Sequence, residues 1–321
     1  MQLPENAKGT FWETHDPLVA LAPMAGVTDS PFRRICKHYG APLVWSEFVS
    51  VRGLHHNWAK SSALLEYTQE EYPVVMQIFG DEPEYMADAA EKIEQAFSPA
   101  GIDINCGCPA KKVMKTGAGV ALMEHPKLVS EIINAISERI SVPLSLKTRA
   151  GIRDTDVYEF AMQLPLDKLS GLTIHGRTYE EKFTGDINLE LLRRVKEQAP
   201  CRVVANGGIA TLDDMHRIRE ATGIDGFMVG AAALGRPWIF RELTNNTPHE
   251  PSPMELKETI LLHATYMSEF YGEERGILNF RKHLLWYLKG FPGAKELRKR
   301  LASIRTVDAL QETLELFLPA E

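Results

Sequence analysis

Residues 103–112 read DINCGCPAKK, with two cysteines one residue apart, then a proline and two lysines. Cys106 and Cys108 alone would give a metal only two ligands, and no second pair at metal-ligand spacing occurs, so no metal is expected. A disulfide between residues two apart is geometrically poor. A single reactive thiol with a supporting neighbour is the third reading, and the rest of the chain has to decide. Cys36 and Cys201 stand in contexts that read as ordinary buried thiols. Other chemistry-bearing residues close short apolar runs: Met24, Glu47, Gln77, Asn105, Lys147, His175 and Asn206.

Those runs supply the scaffold. Eight β-branched or apolar segments occur at 19–24, 43–48, 74–80, 101–107, 144–151, 171–177, 202–208 and 226–232. Stretches with helical apolar spacing fall between most of them, as at 83–97, 126–140 and 188–198. Alternating strands and helices predict an α/β fold with parallel pairing, and eight such units fit a (β/α)8 TIM barrel. No G-x-G-x-x-G follows the first strand, which argues against a doubly wound nucleotide-binding sheet. In a barrel the C-terminal strand ends meet at one face, so the polar run ends predict an active-site mouth. The runs NGGIAT (206–211) and GAAALGRPW (230–238) end strands seven and eight. Their small residues let backbone N–H groups approach an anion, which predicts a phosphate-bearing cofactor or substrate tail.

The 321 residues are 44% hydrophobic and 25% charged, as in an enzyme-sized globular chain. No signal pattern opens the chain and no apolar run is long enough to span a bilayer, so cytoplasmic location without membrane contact is expected. Four cysteines then suggest reduced thiols. The net charge of −7 argues against nucleic acid until its distribution is considered. Residues 275–305 hold nine Lys or Arg and one acid, Glu296, interleaved with Phe280, Trp286, Tyr287 and Phe291. A proline-rich, linker-like stretch, TPHEPSPMELKE, precedes them. The chain therefore divides into a barrel domain, 1–245, and an all-helical domain, 246–321, whose basic surface is suited to an RNA backbone. A solvated helical face is the plainer reading of the same charges.

LAPMAGVTDSPFR, QIFG, INCGCPAKK, GAG-x-ALM, LKTRAG, TIHGRT, ANGGI and GRPWIF occur in this order over most of the chain. As an ordered set they resemble the bacterial tRNA-dihydrouridine synthases, most closely the DusB-like branch. The resemblance implies an FMN-dependent barrel with a helical C-terminal domain that reduces the C5–C6 double bond of a D-loop uridine in tRNA, NADPH reloading the flavin. It makes Cys108, directly before the proline, the catalytic cysteine. Flavin N5 would deliver hydride to C6 and Cys108 a proton to C5. A thiol with a pKa of about 8.5 is mostly protonated near neutrality and suits a general acid.

The resemblance also implies the other roles. Pro23, Met24 and Ala25 would lie along the isoalloxazine ring, Gln77 at its polar edge, and Lys147 near the N1–C2 region, where its charge stabilises reduced flavin. Read from residue type alone, Lys147 could instead be a Schiff-base nucleophile. His175 would sit near flavin and uracil, and Asn105 would orient the base. Asn206 would join the cofactor site, and Gly207, Gly208, Gly230 and Ala231 would serve the phosphate end. Arg149 and Arg177 would flank the entering nucleotide. Lys111, Lys112, Lys115, Arg281 and Lys282 would contact tRNA, docked by its elbow. Two positions depart from the family pattern: Gly208 stands where an acid is common, and Ala231 where an arginine is common. Ala231 removes a cationic phosphate contact, for which Arg236 could compensate. A monomer is expected. Two other readings compete: a flavin-dependent reductase of free pyrimidines, which has no use for a basic tail, and a non-catalytic tRNA-binding protein, which needs neither Cys108 nor flavin.

Overall fold

The computed structural model describes residues 12, 15–290, 296, 300, 301 and 303–317. Phe291 and the basic residues Lys295, Arg298 and Lys299 lie outside them. Eight strands form the barrel: β1 (Leu18–Leu21), β2 (Leu43–Trp45), β3 (Val74–Phe79), β4 (Gly101–Cys106), β5 (Leu144–Arg149), β6 (Gly171–His175), β7 (Arg202–Asn206) and β8 (Gly226–Val229). Each pairs in parallel with its neighbours, β8 with β1 and β3 with β2, so the ring is closed. All eight expected runs are strands. Several stop two or three residues early, because their polar and glycine tails turn out of the sheet to build the mouth.

One main helix follows each strand: α1 (Ser30–His38), α2 (Val51–His56), α3 (Pro83–Phe97), α4 (Pro126–Ser137), α5 (Val157–Ala161), α6 (Leu189–Gln198), α7 (Leu212–Thr222) and α8 (Ile239–Asn245). Their starts are written locally. The Asp29 side chain accepts from the Phe32 amide at the head of α1, with Pro31 in the first turn. Thr211 and Asp214 form a reciprocal capping box on α7.

Alternation along the strands sorts two interiors. Val19, Leu21, Met76, Ile78, Ile102, Ile104, Leu146, Leu172, Ile174, Val203 and Phe227 belong to the layer between sheet and helices. Leu18, Ala20, Leu43, Trp45, Val75, Val204 and Met228 gather with Trp12 inside the barrel. Trp12 and Trp45 meet edge to face there at 5.8 Å. Nearer the mouth the inward set turns polar: Gln77, Asp103, Asn105, Ser145, Lys147, Thr173, His175 and Asn206.

Among the described residues, three long helices follow: α9 (Pro253–Tyr271), α10 (Glu273–Tyr287) and α11 (Val307–Glu315). The stretch expected as a linker becomes helix at Pro253, because Ser252 caps the Glu255 amide and proline suits the first turn. These helices share an apolar cluster of Ile260, Ala264, Met267, Ile277, Phe280, Leu284, Tyr287, Leu310 and Leu314, which Tyr39 and Trp238 join from the barrel.

Polar contacts fasten the cluster to the mouth. Arg34 pairs with Glu269 at 2.7 Å and lies 3.7 Å over the Tyr266 ring. The Tyr271 hydroxyl donates to Asp29 at 2.9 Å. In the loop after β1, the Gly26 amide donates to Glu47, and its carbonyl accepts from Lys282 of α10. Beneath that loop, Arg33 and Glu71 form a fully buried pair at 2.6 Å, and Arg33 also donates to the Thr28 and Glu66 carbonyls. Such a pair holds only when its remaining donors are satisfied, as these are. Among the described residues, no helix is long and apolar enough to cross a membrane.

Candidate active site at the barrel mouth

A chain of side chains crosses the inside of the barrel. Ser145 donates to Asp103 at 2.5 Å, Gln77 donates to the other Asp103 oxygen at 2.6 Å, and Asn105 donates to Gln77 Oε1 at 2.8 Å. The oxygen of Asn105 then accepts the amides of Gly107 at 3.1 Å and Cys108 at 2.9 Å. Register explains the order: Gln77 stands beside Asp103, and Asp103 beside Ser145. Burial pushes the Asp103 carboxyl up to about 6, against hydrogen bonds from Ser145 and Gln77 and the charge of Lys147.

Cations line the same mouth. Lys147 donates to Asn206 Oδ1 at 2.9 Å, and Asn206 donates to the Met228 carbonyl at 2.7 Å. Burial, then the Arg149 charge, lowers Lys147 to about 8. Arg149 donates to the carbonyls of Gly107, Thr178 and Lys182 at 3.0, 3.1 and 3.0 Å, and its Nη1 lies 3.4 Å from His175 Nδ1. Burial followed by Lys147 and Arg149 takes His175 down to about 3, so its ring is neutral at any ordinary pH. Arg177 Nε donates to the Gly185 carbonyl at 2.7 Å. Gly207 has φ +89°, and a Cβ there would come 3.0 Å from His175 Nε2 and 3.2 Å from Arg177 Nη1. Any larger residue would displace both.

The two cysteines part company. Cys106 is fully buried in the layer between sheet and helices, like Ile102 and Ile104 in its strand, and burial raises its thiol far above the usual range. Cys108 lies past the strand end in a small cluster with Val113 and Ala118, against Phe48 and Phe79. Burial raises its pKa, opposed by the Ala110 amide and the charges of Arg149 and Lys147. Gly119, at φ +66°, packs beneath it: a Cβ there would lie 2.7 Å from the Cys108 carbonyl oxygen. Cys36 is fully buried, as expected, whereas Cys201 is partly exposed.

The structure brings most of the expected site residues to this end of the barrel. Pro23, Met24 and Ala25 follow β1, with the Met24 amide donating to Thr28 at 3.0 Å. Gly208 is exposed and has φ +67°. Gly230 has room above it, a Cβ meeting only Ala22 and Met24 at 3.6 and 3.7 Å, and Ala231 is exposed beside it. Arg236 instead ties the loops after β7 and β8, donating to the Ala210 carbonyl at 2.6 Å and to Glu242 at 2.5 Å. Lys111, Lys112 and Lys115 are exposed on and just after the short helix Lys111–Met114, which follows Cys108. On α10, Arg281 donates to the Ile304 carbonyl at 3.2 Å, and Lys282 holds the Gly26 carbonyl.

Two features escaped sequence reasoning. Asp103 was not among the expected site residues, although its even spacing from Asn105 was a usable signal. Asn105 was expected to face a base, yet both ends of its carboxamide are engaged by protein partners.

The donor set fits a flavin phosphate ester. Lys147, Arg149 and Arg177 concentrate positive charge at the mouth, and burial together with repulsion disfavours the charge on Lys147 and Arg149 until an anion arrives. The glycine-bordered ends of β7 and β8 leave room beside it.

Comparison with known proteins agrees. The family described as dihydrouridine synthase (Dus) matches residues 20–320. Proteins named tRNA-dihydrouridine synthase B are similar to the chain. That of Pseudomonas aeruginosa is 39% identical over 298 residues, covering 90% of this chain and 89% of its own length. That of Vibrio parahaemolyticus is 39% identical over 304 residues, covering 92% and 94%.

Proposed function

The chain belongs to the dihydrouridine synthase family, and from that premise we propose how its site works. It is a tRNA-dihydrouridine synthase, an oxidoreductase that saturates the C5–C6 bond of uridine in tRNA. The finer reading is that FMN is the cofactor, NADPH the reductant and a D-loop uridine the target. That reading rests on likeness to the family, and one observation carries the acid role of the thiol: Cys108 stands past the end of β4, held protonated by burial, within the electrostatic reach of Arg149 and Lys147.

The hydride that uracil C6 receives would come from bound FMN reduced by NADPH. The chain's own residues do the rest. Asn206 and Lys147 hold a fixed positive charge for the flavin's electron-rich edge. The backbone at Pro23, Met24 and Ala25 supports its ring. Amides at Gly207, Gly208, Gly230 and Ala231, with Arg177 nearby, serve the phosphate. Arg236 is already committed to Ala210 and Glu242. Cys108 gives its proton to C5, and Arg149 and Lys147 stabilise the thiolate left behind. Neutral His175 orders the pocket without competing as an acid. A stacked uridine hides C6, so the base must leave its stack to react. Exposed Lys111 and Lys112 and the basic segment 275–305 take the RNA backbone, while residues 1–245 carry the chemistry.

The test separates two half-reactions. Cys108→Ala should accept electrons from NADPH at the normal rate and make little dihydrouridine in a single turnover. Uridine reduction at the wild-type rate in that variant would remove Cys108 from the acid role.

A further inference from the structure

Beside the mouth, an aromatic side chain stands in solvent on a braced loop. Phe183 is 73% exposed, the most exposed large apolar side chain among the described residues. It lies in the loop between β6 and α6, where isolation of a phenylalanine from any core is unfavourable. The loop is not loosely held. Arg149 takes the carbonyls of Thr178 and Lys182, and Arg177 takes that of Gly185. The Tyr179 amide donates to the Gly151 carbonyl at 2.8 Å. Glu181 accepts from the Thr178 amide at 2.8 Å, and its own carbonyl accepts from the Thr184 amide and hydroxyl at 3.1 and 2.9 Å. Lys182 adopts a left-handed backbone conformation, φ +58°, which only a constrained turn imposes on a side chain of its size. Three of these anchors come from the guanidinium groups that border the pocket.

The ring is also placed. Its centroid lies 6.1 Å from that of His175, edge to face at 84°, and 5.5 Å from the Arg149 guanidinium. A rigid aromatic surface flanked by cations, at the rim of a pocket for one flat base, has the elements that stack nucleobases and hold their phosphates. Extruding one base also leaves its neighbours without a stacking partner, a cost that an inserted or abutting side chain offsets.

We propose that Phe183 is a positioning residue that stacks on a nucleobase of the tRNA next to the extruded uridine, stabilising the opened conformation. This rests on the uridine-reducing function above. Its partner is an RNA base, and the nicotinamide or adenine ring of NADPH is the competing occupant.

The experiment uses the full-length flavin-loaded enzyme, Phe183→Ala and Phe183→Trp, with stopped-flow absorbance of the flavin. Reduction by NADPH is followed first. Oxidation of the reduced enzyme by tRNA carrying unreduced uridine is followed second. Phe183→Ala should keep wild-type flavin content and NADPH rate, while tRNA-driven oxidation falls about 5- to 150-fold, the range that one base–aromatic stack supplies. Phe183→Trp should restore most of that loss. Equal tRNA rates in wild type and Phe183→Ala overturn the proposal. A slowed NADPH step overturns it in favour of a nicotinamide or adenine platform. If wild-type enzyme is itself not oxidised by tRNA, the underlying function falls and this proposal with it.

Discussion

The side-chain oxygen of Asn105 lies 2.9 Å from the backbone nitrogen of Cys108, and it takes the Gly107 amide as well. The turn that carries the thiol is thus fastened to the strand it leaves. Through Gln77 and Asp103 the fastening reaches Ser145 on the next strand. Position of the proposed acid is a property of the barrel interior.

Asn105→Ala leaves two amides at the turn without their acceptor. It should destabilise the fold by about 1–3 kcal/mol, the usual cost of stranded buried donors. Single-turnover dihydrouridine formation should fall about 10- to 100-fold, since an acid out of place forfeits most of its effect. Urea unfolding and quenched single turnovers measure the two effects, and NADPH oxidation should stay normal.

Asp103→Asn tests the far end of the same chain. The carboxylate accepts from two partners, and a carboxamide would present a donor to one of them. Asp103 holds its proton up to about 6 when folded and up to about 3.8 when unfolded. Its contribution to stability is therefore full below about 3.8 and lost as pH rises through 6. Relative to Asp103→Asn, the wild type should lose ground between those values, as urea midpoints at pH 4 and 7 would reveal.

Lys147 is held down near 8 by burial and by Arg149. When unfolded it binds its proton up to about 10.4, so the folded chain gains stability as pH rises from 8 to 10. If the ammonium holds FMN as proposed, FMN affinity should fall over that same interval. Lys147→Met should weaken FMN by about 10- to 100-fold, the worth of a charged hydrogen bond, and abolish the pH dependence. Fluorescence titration with FMN checks both statements.

Cys106→Ala removes a buried sulfur from the helix-facing layer. A loss of about 1–2 kcal/mol in stability is expected from so small a cavity, with both half-reactions unchanged. A large fall in uridine reduction would mean that the paired cysteines act together.

His263 of α9 and His283 of α10 meet edge to face with ring centroids 4.6 Å apart, enclosed by Phe32, Phe280 and Trp286. Tyr287 hydrogen-bonds His263, and Lys282 is the nearby charge. Burial lowers His263 to about 3 and His283 well below its usual value. Unfolded, each takes a proton near 6.5, so their contribution is full above that pH and drains away toward 3. Asp29 and Asp103, raised to about 6, oppose this only in part. Urea midpoints at pH 7.5 and 5 should differ markedly in wild type and less in His283→Leu.

The barrel was readable because each strand is a short apolar run punctuated by helix signals, a local pattern that burial on both sides of a parallel sheet demands. Strand ends were misjudged at the tails of β1, β5 and β7, where residue type does not reveal when a chain turns away from its neighbour. The mouth was readable from its polar ends. The engagement of Asn105 was not, because a carboxamide suits a base or a backbone amide equally well. Arg281 and Lys282 illustrate the same limit: charge counts along a helix give a basic segment, whereas only packing tells which cations hold carbonyls of their own chain.

The clasp at Gly26 joins the two parts of the molecule at their most sensitive point. Glu47 grips one side of that peptide from the barrel, and Lys282 grips the other from the helices. Cutting away residues 250–321 would therefore do more than discard the segment proposed to hold RNA. It would strip Tyr39 and Trp238 of their cover, leave Asp29 without the Tyr271 hydroxyl, and free one flank of the ledge on which Met24 and Ala25 sit. A shortened barrel would fail as an electron acceptor before any tRNA was offered to it.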